Sequence, residues 1–200
     1  MSSKLKNRNN LVAAFNGGFQ EKDGHYGMIV GNQTYVPLKD NLATLVMYTS
    51  GKAEIVNYTG QNFGSNVAAI RQNGPLLIEN SKITNATSQG MTTWGLTVTN
   101  NMYTWRSGLG ITAKGNLIYA VGPSLVPETL ALALQKAGAV MAMQLDINPY
   151  WVRYVIFTPK GNGNYTYQSL LQSMVNGGYN YLTGYGKDFF YIYKKNIINN

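Results

Sequence analysis

The 200-residue sequence contains no cysteine and only one histidine, His25. The lack of cysteine excludes a disulfide scaffold, a thiolate zinc site and a cysteine nucleophile. A serine triad would need His25, which stands in a turn-like segment, and the chain carries no nucleophile elbow. Any acid or base in an enzyme of this sequence is therefore expected to be a carboxylate.

Charged residues are also scarce, at 12% of the chain, about half the fraction typical of soluble domains. The carboxylates are Glu21, Asp23, Asp40, Glu54, Glu79, Glu128, Asp146 and Asp188. Glycine, asparagine and tyrosine are frequent instead, and such surfaces suit sugars or other protein subunits. Few charges combined with exposed aromatic rings also favour self-association.

The net charge is +8, but the basic residues are scattered, with clusters only at 4–8 and 194–195. Because no basic stripe is interleaved with aromatic residues, we expect no nucleic-acid partner. A basic field would equally attract a phosphorylated glycan. No apolar run approaches the roughly 20 residues of a membrane-spanning helix, so no membrane span is expected in this chain. We expect a secreted or cell-surface domain whose export signal lies outside this sequence.

The length and the 44% hydrophobic content predict a flexible segment at 1–10 and one domain at 11–195. The predicted fold class is α+β, with a mixed, largely antiparallel sheet and a few packed helices. Turn residues at Ser50-Gly51 and Lys114-Gly115 indicate two β-hairpins. Helices are predicted at 127–137 and 166–176, and further strands at 11–15, 27–30, 139–147, 151–157 and 188–193.

The apolar run from Ala139 to Leu145 ends at Asp146, which the turn-like Ile147-Asn148-Pro149-Tyr150-Trp151 follows. A buried strand would deliver the Asp146 carboxylate to its carboxyl end, a common place for chemistry. The alternative is that Asp146 only caps the turn before Pro149. Trp151 is interpreted as the first inward residue of the next strand, whereas Tyr150 is left open.

Two arginines, Arg71 and Arg106, stand where apolar runs meet glycine-containing turns. A guanidinium there can bind a phosphate bidentately, or its stem can simply cover apolar surface. The turn Asn16-Gly17-Gly18 can bring backbone N–H groups close to an anion, or it can be a plain turn. The residues alone leave these alternatives open.

Four segments in this order resemble the phosphodiester glycosidase domain family: Asn16-Gly17-Gly18-Phe19, Arg71-Gln72-Asn73, Trp105-Arg106-Ser107-Gly108-Leu109-Gly110 and Leu145–Trp151. The resemblance covers nearly the whole chain, including the helix at 128–131 and the terminal Asp188-Phe189-Phe190. It implies hydrolysis of a sugar-1-phosphodiester at the anomeric carbon. The resemblance carries over to Asn16-Gly17-Gly18, Arg106 and Asp146. The predicted catalytic residues are Asp146, Arg106, Arg71 and Asn16, and the predicted substrate-binding residues are Gly17, Gly18, Asn73, Ser107, Asn148 and Tyr150.

The loop after Asp146 departs from the family's glycine-rich pattern and is similar to that of a bacterial branch. Pro149 has no N–H group to offer a phosphate, while Tyr150 and Trp151 add aromatic bulk. No cofactor is firmly indicated; Asp146, Asp188 and Asn148 are a candidate oxygen set for a divalent cation such as calcium. A non-catalytic glycan-binding or self-assembling domain on the same scaffold is the alternative function.

Overall fold

The computed structural model describes residues 9–175 and 177–194, which contain fourteen strands and three α-helices. The strands are β1 (Leu11–Asn16), β2 (Met28–Val30), β3 (Gln33–Val36), β4 (Ala43–Tyr48), β5 (Ala53–Asn57), β6 (Val67–Gln72), β7 (Leu76–Glu79), β8 (Lys82–Ile83), β9 (Thr104–Thr112), β10 (Leu117–Leu125), β11 (Ala139–Ile147), β12 (Tyr154–Gly161), β13 (Asn164–Ser169) and β14 (Phe189–Tyr193). The helices are α1 (Met91–Trp94), α2 (Pro127–Lys136) and α3 (Gly178–Thr183), with 3-10 turns at Glu21–Asp23 and Asn85–Ser88. With 44% strand and 15% helix, the fold is mostly antiparallel sheet rather than clearly α+β.

Residue contacts divide the chain into two compact units. The first contains the described residues up to Gly17 and from Pro149 onward, and the second is Gly18–Asn148. The first unit is built on a four-stranded sheet in the order β13-β12-β1-β14. Its core is apolar and aromatic and takes side chains from β1, β12 and helix α3. The core residues are Leu11, Ala14, Val155, Phe157 and Tyr181.

The second unit contains two five-stranded sheets, in the orders β10-β9-β11-β7-β8 and β3-β2-β6-β4-β5. Every pairing between described strands is antiparallel. The two predicted hairpins are confirmed as β4 with β5 and β9 with β10. We predicted a single mixed sheet, whereas the structure has three antiparallel sheets. The apolar strand β11 also runs antiparallel to both of its neighbours, β7 and β9.

Helix α2 confirms the prediction for 127–137 and packs on the sheet that contains β11. Pro127 opens the helix, where a missing N–H group is tolerated. The Thr129 hydroxyl accepts from the N–H of Val126 at 3.0 Å. A β-carbon on Gly108 would lie 3.1 Å from Leu134, and one on Gly110 would lie 2.7 Å from Ala139. Because glycine has no side chain, Gly108 and Gly110 allow helix α2 and strand β11 to pack closely against β9.

The predicted helix at 166–176 is wrong, and Asn176 lies outside the described residues. Residues Asn164–Ser169 form strand β13, in which exposed and half-buried side chains alternate. Tyr165 and Tyr167 both make edge contacts with the Phe157 ring, at centroid distances of 5.9 and 6.2 Å. This period of two is typical of a half-buried strand. Residues 164–169 therefore form a strand, although the residues that follow favour a helix.

The strand predicted at 151–157 begins later, at Tyr154, so Trp151 is not an inward strand residue. Trp151 lies in a turn with 39% of its surface exposed. At the start of the described chain, the Asn10 amide is buried and donates to the Lys194 carbonyl at 2.9 Å. Residues 1–8 of the predicted flexible segment, with their basic cluster, and Lys195 lie outside the described residues. Among the helices of the described chain, none has the length and apolar character needed to cross a membrane.

Candidate functional site

Asp146 stands at a break in the ladder between β11 and β9. Gln144 pairs with Gly108 and Ile147 with Arg106, so β11 spans three residue steps where β9 spans two. This extra residue is a β-bulge, a feature that re-aims side chains and is over-represented beside active sites. The Ser107 hydroxyl donates to the Asp146 carbonyl at 2.8 Å, and the Asp146 Oδ1 accepts from the Ile147 N–H at 2.9 Å. The carboxylate is thus oriented by its own backbone, and the residue is 5% exposed.

Arg71, at the end of β6, is nearly buried and clamps the segment that follows the Asn-Gly-Gly turn. Its Nη2 donates to the Phe19 carbonyl and its Nη1 to the Gln72 carbonyl, both at 2.6 Å. A β-carbon on Gly18 would lie 3.2 Å from the guanidinium carbon of Arg71. Glycine at position 18 therefore permits the close approach of this cation to the backbone.

Asn73 connects this segment with the strand of Asp146. Its Oδ1 accepts from the Phe19 N–H at 3.0 Å. Its Nδ2 donates to the carbonyls of Gln144 and Leu145, at 2.9 and 3.2 Å. Asn73 is fully buried, so these bonds are shielded from water. Four predicted site residues, Gly18, Arg71, Asn73 and Asp146, are thus brought together within the second unit.

Arg106 lies in the interior of the second unit. Its guanidinium donates to the carbonyls of Leu125, Trp94 and Met102, at 3.0, 3.2 and 3.0 Å, and to the Gln144 Oε1 at 2.7 Å. Burial lowers the pKa of Arg106 to about 10, and the negative charge of Glu128 acts in the opposite direction. Four of its five N–H donors therefore bind protein oxygens.

Gln144 completes this buried arrangement, although no role for it was predicted from the sequence. Its Nε2 donates to the Trp94 carbonyl at 3.1 Å while its Oε1 accepts from Arg106. The Trp94 carbonyl at the end of α1 therefore accepts from both side chains. The only signal in the sequence was a polar residue near the end of an apolar run.

Asn148 connects the segment at 96–104 to the end of β11 by hydrogen bonds. Its Oδ1 accepts from the Val98 N–H at 3.1 Å and the Thr104 hydroxyl at 3.2 Å, and its backbone N–H donates to the Trp105 carbonyl at 2.8 Å. Its φ of +72° is tolerated by asparagine better than by most residues. The Asn148 side chain thus binds Val98 and Thr104, and the Ser107 hydroxyl binds the Asp146 carbonyl. The substrate-binding roles predicted for both residues remain predictions.

Asn16 and Gly17 belong to the first unit. Asn16 is buried, and its Oδ1 accepts from the Arg153 N–H at 3.1 Å, while its own backbone N–H donates to the Arg153 carbonyl at 3.0 Å. The Gly17 N–H donates to the Asp188 carbonyl at 3.2 Å. A β-carbon on Gly17 would lie 2.5 Å from the carboxyl carbon of Asp188. Asp188 is therefore packed against the turn of Asn16 and Gly17, which makes it a further candidate residue.

The aromatic residues after Asp146 lie at the surface of the first unit. Tyr150 is 57% exposed, and its ring contacts Trp151 edge-on with centroids 6.4 Å apart. The Lys187 ammonium lies 4.1 Å from the centre of the Trp151 ring. An exposed tyrosine and a tryptophan beside a cation form a surface that can stack on a sugar ring.

The structure gives no cluster of three or more histidine, cysteine, aspartate or glutamate side chains fit for a metal ion within the described ranges. In the predicted cation set, the side-chain oxygen of Asn148 already accepts two hydrogen bonds. Asp146 and Asn148 belong to the second unit and Asp188 to the first. The divalent cation remains a prediction.

Comparison with known proteins relates this geometry to one family. The family model described as phosphodiester glycosidase matches residues 9–146. The catalytic domain of zebrafish N-acetylglucosamine-1-phosphodiester alpha-N-acetylglucosaminidase, auto-inhibited by its pro-peptide, is similar in fold, with a TM-score of 0.55 and 15% identity. The similarity covers 81% of this chain and 58% of the zebrafish chain.

A hypothetical protein from Synechocystis gives a TM-score of 0.40 at 15% identity, over 80% of this chain and 49% of that one. No curated protein matches the sequence. The family model covers more than half of the chain and includes Asn16, Arg71, Arg106 and Asp146. The chain belongs to the phosphodiester glycosidase family.

Proposed function

We propose that the protein hydrolyses a sugar-1-phosphodiester at the anomeric carbon, with Asp146 acting there as base or nucleophile. The observation that carries the proposal is the bulge at Asp146, which Asn73 fastens to the segment of Arg71 and Gly18. The Asn73 amide binds the backbone beside Asp146 and the Phe19 backbone that Arg71 also binds, and the reaction needs a carboxylate and a guanidinium. Membership of the phosphodiester glycosidase family supports the same chemistry.

In this reaction the bond between the anomeric carbon and the phosphate oxygen breaks, and a water oxygen replaces it. The products are a free sugar and a phosphomonoester. The departing phosphomonoester is a weak base, so it needs less protonation than the alcohol that leaves from an ordinary glycoside. We assign Arg71 to the phosphate, because a guanidinium stabilises the negative charge that develops on the departing oxygen. The backbone N–H group of Gly18, in the same unit, is proposed to assist it.

We propose an indirect role for Arg106. Because four of its donors bind protein oxygens, including the Gln144 side chain two residues before Asp146, it supports the strand that carries the carboxylate. Asn16 is proposed to hold the turn before Gly17 through its two hydrogen bonds with Arg153. Tyr150 belongs to the first unit, and the substrate-binding role predicted for it remains a prediction.

The test is a screen of sugar-1-phosphodiesters and nucleotide sugars against wild type and Asp146→Asn, each with added divalent cation and with chelator. We expect wild type to release free sugar and the variant to lose that activity while keeping its far-ultraviolet circular dichroism spectrum. Asp40→Asn changes an exposed carboxylate and serves as the matched control. Full activity in Asp146→Asn, or no turnover of any substrate by wild type, would overturn the proposal.

Glycan binding without turnover is the second candidate function. The exposed aromatic rings favour it, above all Tyr150 at 57%, Tyr103 at 60% and Tyr179 at 63% exposure. Binding of a polysaccharide by wild type and Asp146→Asn alike, without sugar release, would support this candidate over hydrolysis. Light scattering in the same samples would reveal self-association.

A further inference from the structure

A surface groove lies at the tip of the β4–β5 hairpin in the second unit. Its volume is about 580 Å³, within the range of roughly 300–1,000 Å³ that is usual for small-molecule sites. The lining residues are Tyr48, Thr49, Ser50, Lys52, Phe63, Gly64, Ser65 and Asn66. The hairpin supplies one wall and the loop at 59–66 supplies the other.

This groove is separate from the candidate catalytic residues of the same unit. Strand β4 begins at Ala43, whose carbonyl accepts from the Asn73 N–H at 3.1 Å, and ends at Tyr48. Five residues of extended strand span about 17 Å. The groove and the Asn73 segment therefore lie at opposite ends of β4.

The chemistry of the lining matches a carbohydrate. Tyr48 and Phe63 are half-buried aromatic side chains, and hydroxyl groups and the Asn66 amide surround them. A pyranose offers an apolar face of C–H groups and an edge of hydroxyl groups, so a site for it combines aromatic stacking with a few hydrogen-bonding groups.

The charges beside the groove are balanced. The Lys52 ammonium lies 3.7 Å from the Glu54 carboxylate and 5.7 Å from the centre of the Tyr48 ring. The Tyr48 hydroxyl donates to the same Glu54 carboxylate. Because the lysine already has an acidic partner, the groove favours a neutral sugar over an anionic one.

The loop wall is held in place by its own hydrogen bonds. The Gly64 N–H donates to the Asn62 side chain at 2.8 Å, and the Gln61 amide donates to the Asn57 carbonyl at 2.9 Å. Phe63 packs against Tyr58 with ring centroids 6.0 Å apart. A wall that is ordered before binding lowers the entropic cost of ligand capture.

We propose that this groove binds a neutral sugar residue of a glycan, with the sugar stacked on Tyr48 or Phe63. The site lies outside the proposed catalytic residues and does not depend on them. It would let the protein hold a glycan chain at a position remote from Asp146.

The test is a ¹H–¹⁵N NMR titration of the full chain with neutral disaccharides: maltose, cellobiose, mannobiose and N,N′-diacetylchitobiose. At least one should shift the amide signals of groove residues such as Ser65 and Asn66. Phe63→Ala should weaken that binding roughly tenfold, the effect of losing one aromatic contact. Tyr48→Phe, which keeps the ring, should weaken it less than Tyr48→Ala.

Tyr35→Ala removes an exposed aromatic side chain outside the groove and should bind as wild type does. Ser65→Trp fills the groove without removing core packing, so it should abolish binding even if Phe63→Ala fails to fold. Shifts confined to residues outside the groove, unchanged binding in Ser65→Trp, tighter binding of an anionic sugar, or no shift with any disaccharide would each overturn the proposal. The titration needs no turnover, so its result is independent of the hydrolysis assay.

Discussion

The side-chain amide nitrogen of Asn73 lies 2.9 Å from the carbonyl oxygen of Gln144, a residue 71 positions further along the chain. The same amide group also binds Leu145 and Phe19. One buried side chain thus connects the strand that carries Asp146 with the backbone of Phe19, to which Arg71 also donates. We therefore propose that Asn73 is a positioning residue, and the substrate-binding role predicted from the sequence remains a prediction.

Replacing Asn73 should destabilise the protein and impair the site together. Asn73→Ala removes three buried hydrogen bonds and should lower the free energy of unfolding by roughly 2–4 kcal/mol. Asn73→Asp should be worse, because a carboxylate oxygen would face the Gln144 and Leu145 carbonyl oxygens. Urea denaturation measures both. Asn32→Ala, at an exposed turn asparagine, is the control, and equal stability of Asn73→Ala and this control would contradict the positioning role.

The elements that were predicted correctly are those with a strong local signal. Strand β11 follows from its continuous apolar run, and α2 from Pro127 and Gly138 at its ends. Strand β13 was missed because its alternation of polar residues with Tyr165 and Tyr167 is short and helix-favouring residues follow it. The packing of both rings on Phe157 favours the strand.

The site was predictable only in part. The sequence indicates the Asn-Gly-Gly turn, but not that Asp188 packs on Gly17 or that Asn73 packs on Gly18. The bulge at Asp146 depends on the register between β11 and β9, which single residues do not specify. The interior position of Arg106 was also unexpected, since arginine is seldom fully buried.

The two glycines of the turn should tolerate no side chain. In Gly18→Ala the new β-carbon would lie 2.9 Å from the Asn73 Oδ1, and in Gly17→Ala it would collide with the Asp188 carboxylate. Each should lower the thermal midpoint, by an amount that corresponds to roughly 1–3 kcal/mol. Gly90→Ala, where no atom lies within 4 Å of the new carbon, is the control. If Gly17→Ala and Gly18→Ala melt at the same temperature as Gly90→Ala, the close packing of the turn is refuted.

Substitution of Arg106 should reveal whether this residue is structural or binds phosphate. Arg106→Lys cannot reach all four oxygens, and Arg106→Met leaves them without a donor, so both should unfold at lower urea concentration. The expected losses are roughly 2–4 kcal/mol. Lys114→Met, at an exposed turn, is the control.

Inorganic phosphate distinguishes the two roles of Arg106. If the residue is structural, phosphate should stabilise any folded Arg106 variant by the same increment as wild type, because a ligand stabilises the state it binds. An increment that disappears in the folded Arg106 variants would assign the Arg106 guanidinium to the phosphate as well. Arg71→Met should lose the phosphate increment in either case.

The hydrogen bond between Tyr48 and Glu54 should give a pH-dependent contribution to stability. Three effects raise the pKa of Tyr48 to about 12: the hydrogen bond to Glu54, burial of the hydroxyl group and the negative charge of Glu54. The pKa of tyrosine in the unfolded chain is near 10. A raised folded-state pKa stabilises the fold below pH 10, and that contribution is lost as the pH rises through 12. ¹³C NMR of the tyrosine ring measures the Tyr48 titration directly. In Glu54→Gln the pKa should fall toward 10, while in Glu79→Gln, which changes a carboxylate on another strand, it should remain near 12. A Tyr48 titration that is identical in wild type and Glu54→Gln would show that the carboxylate does not hold the hydroxyl.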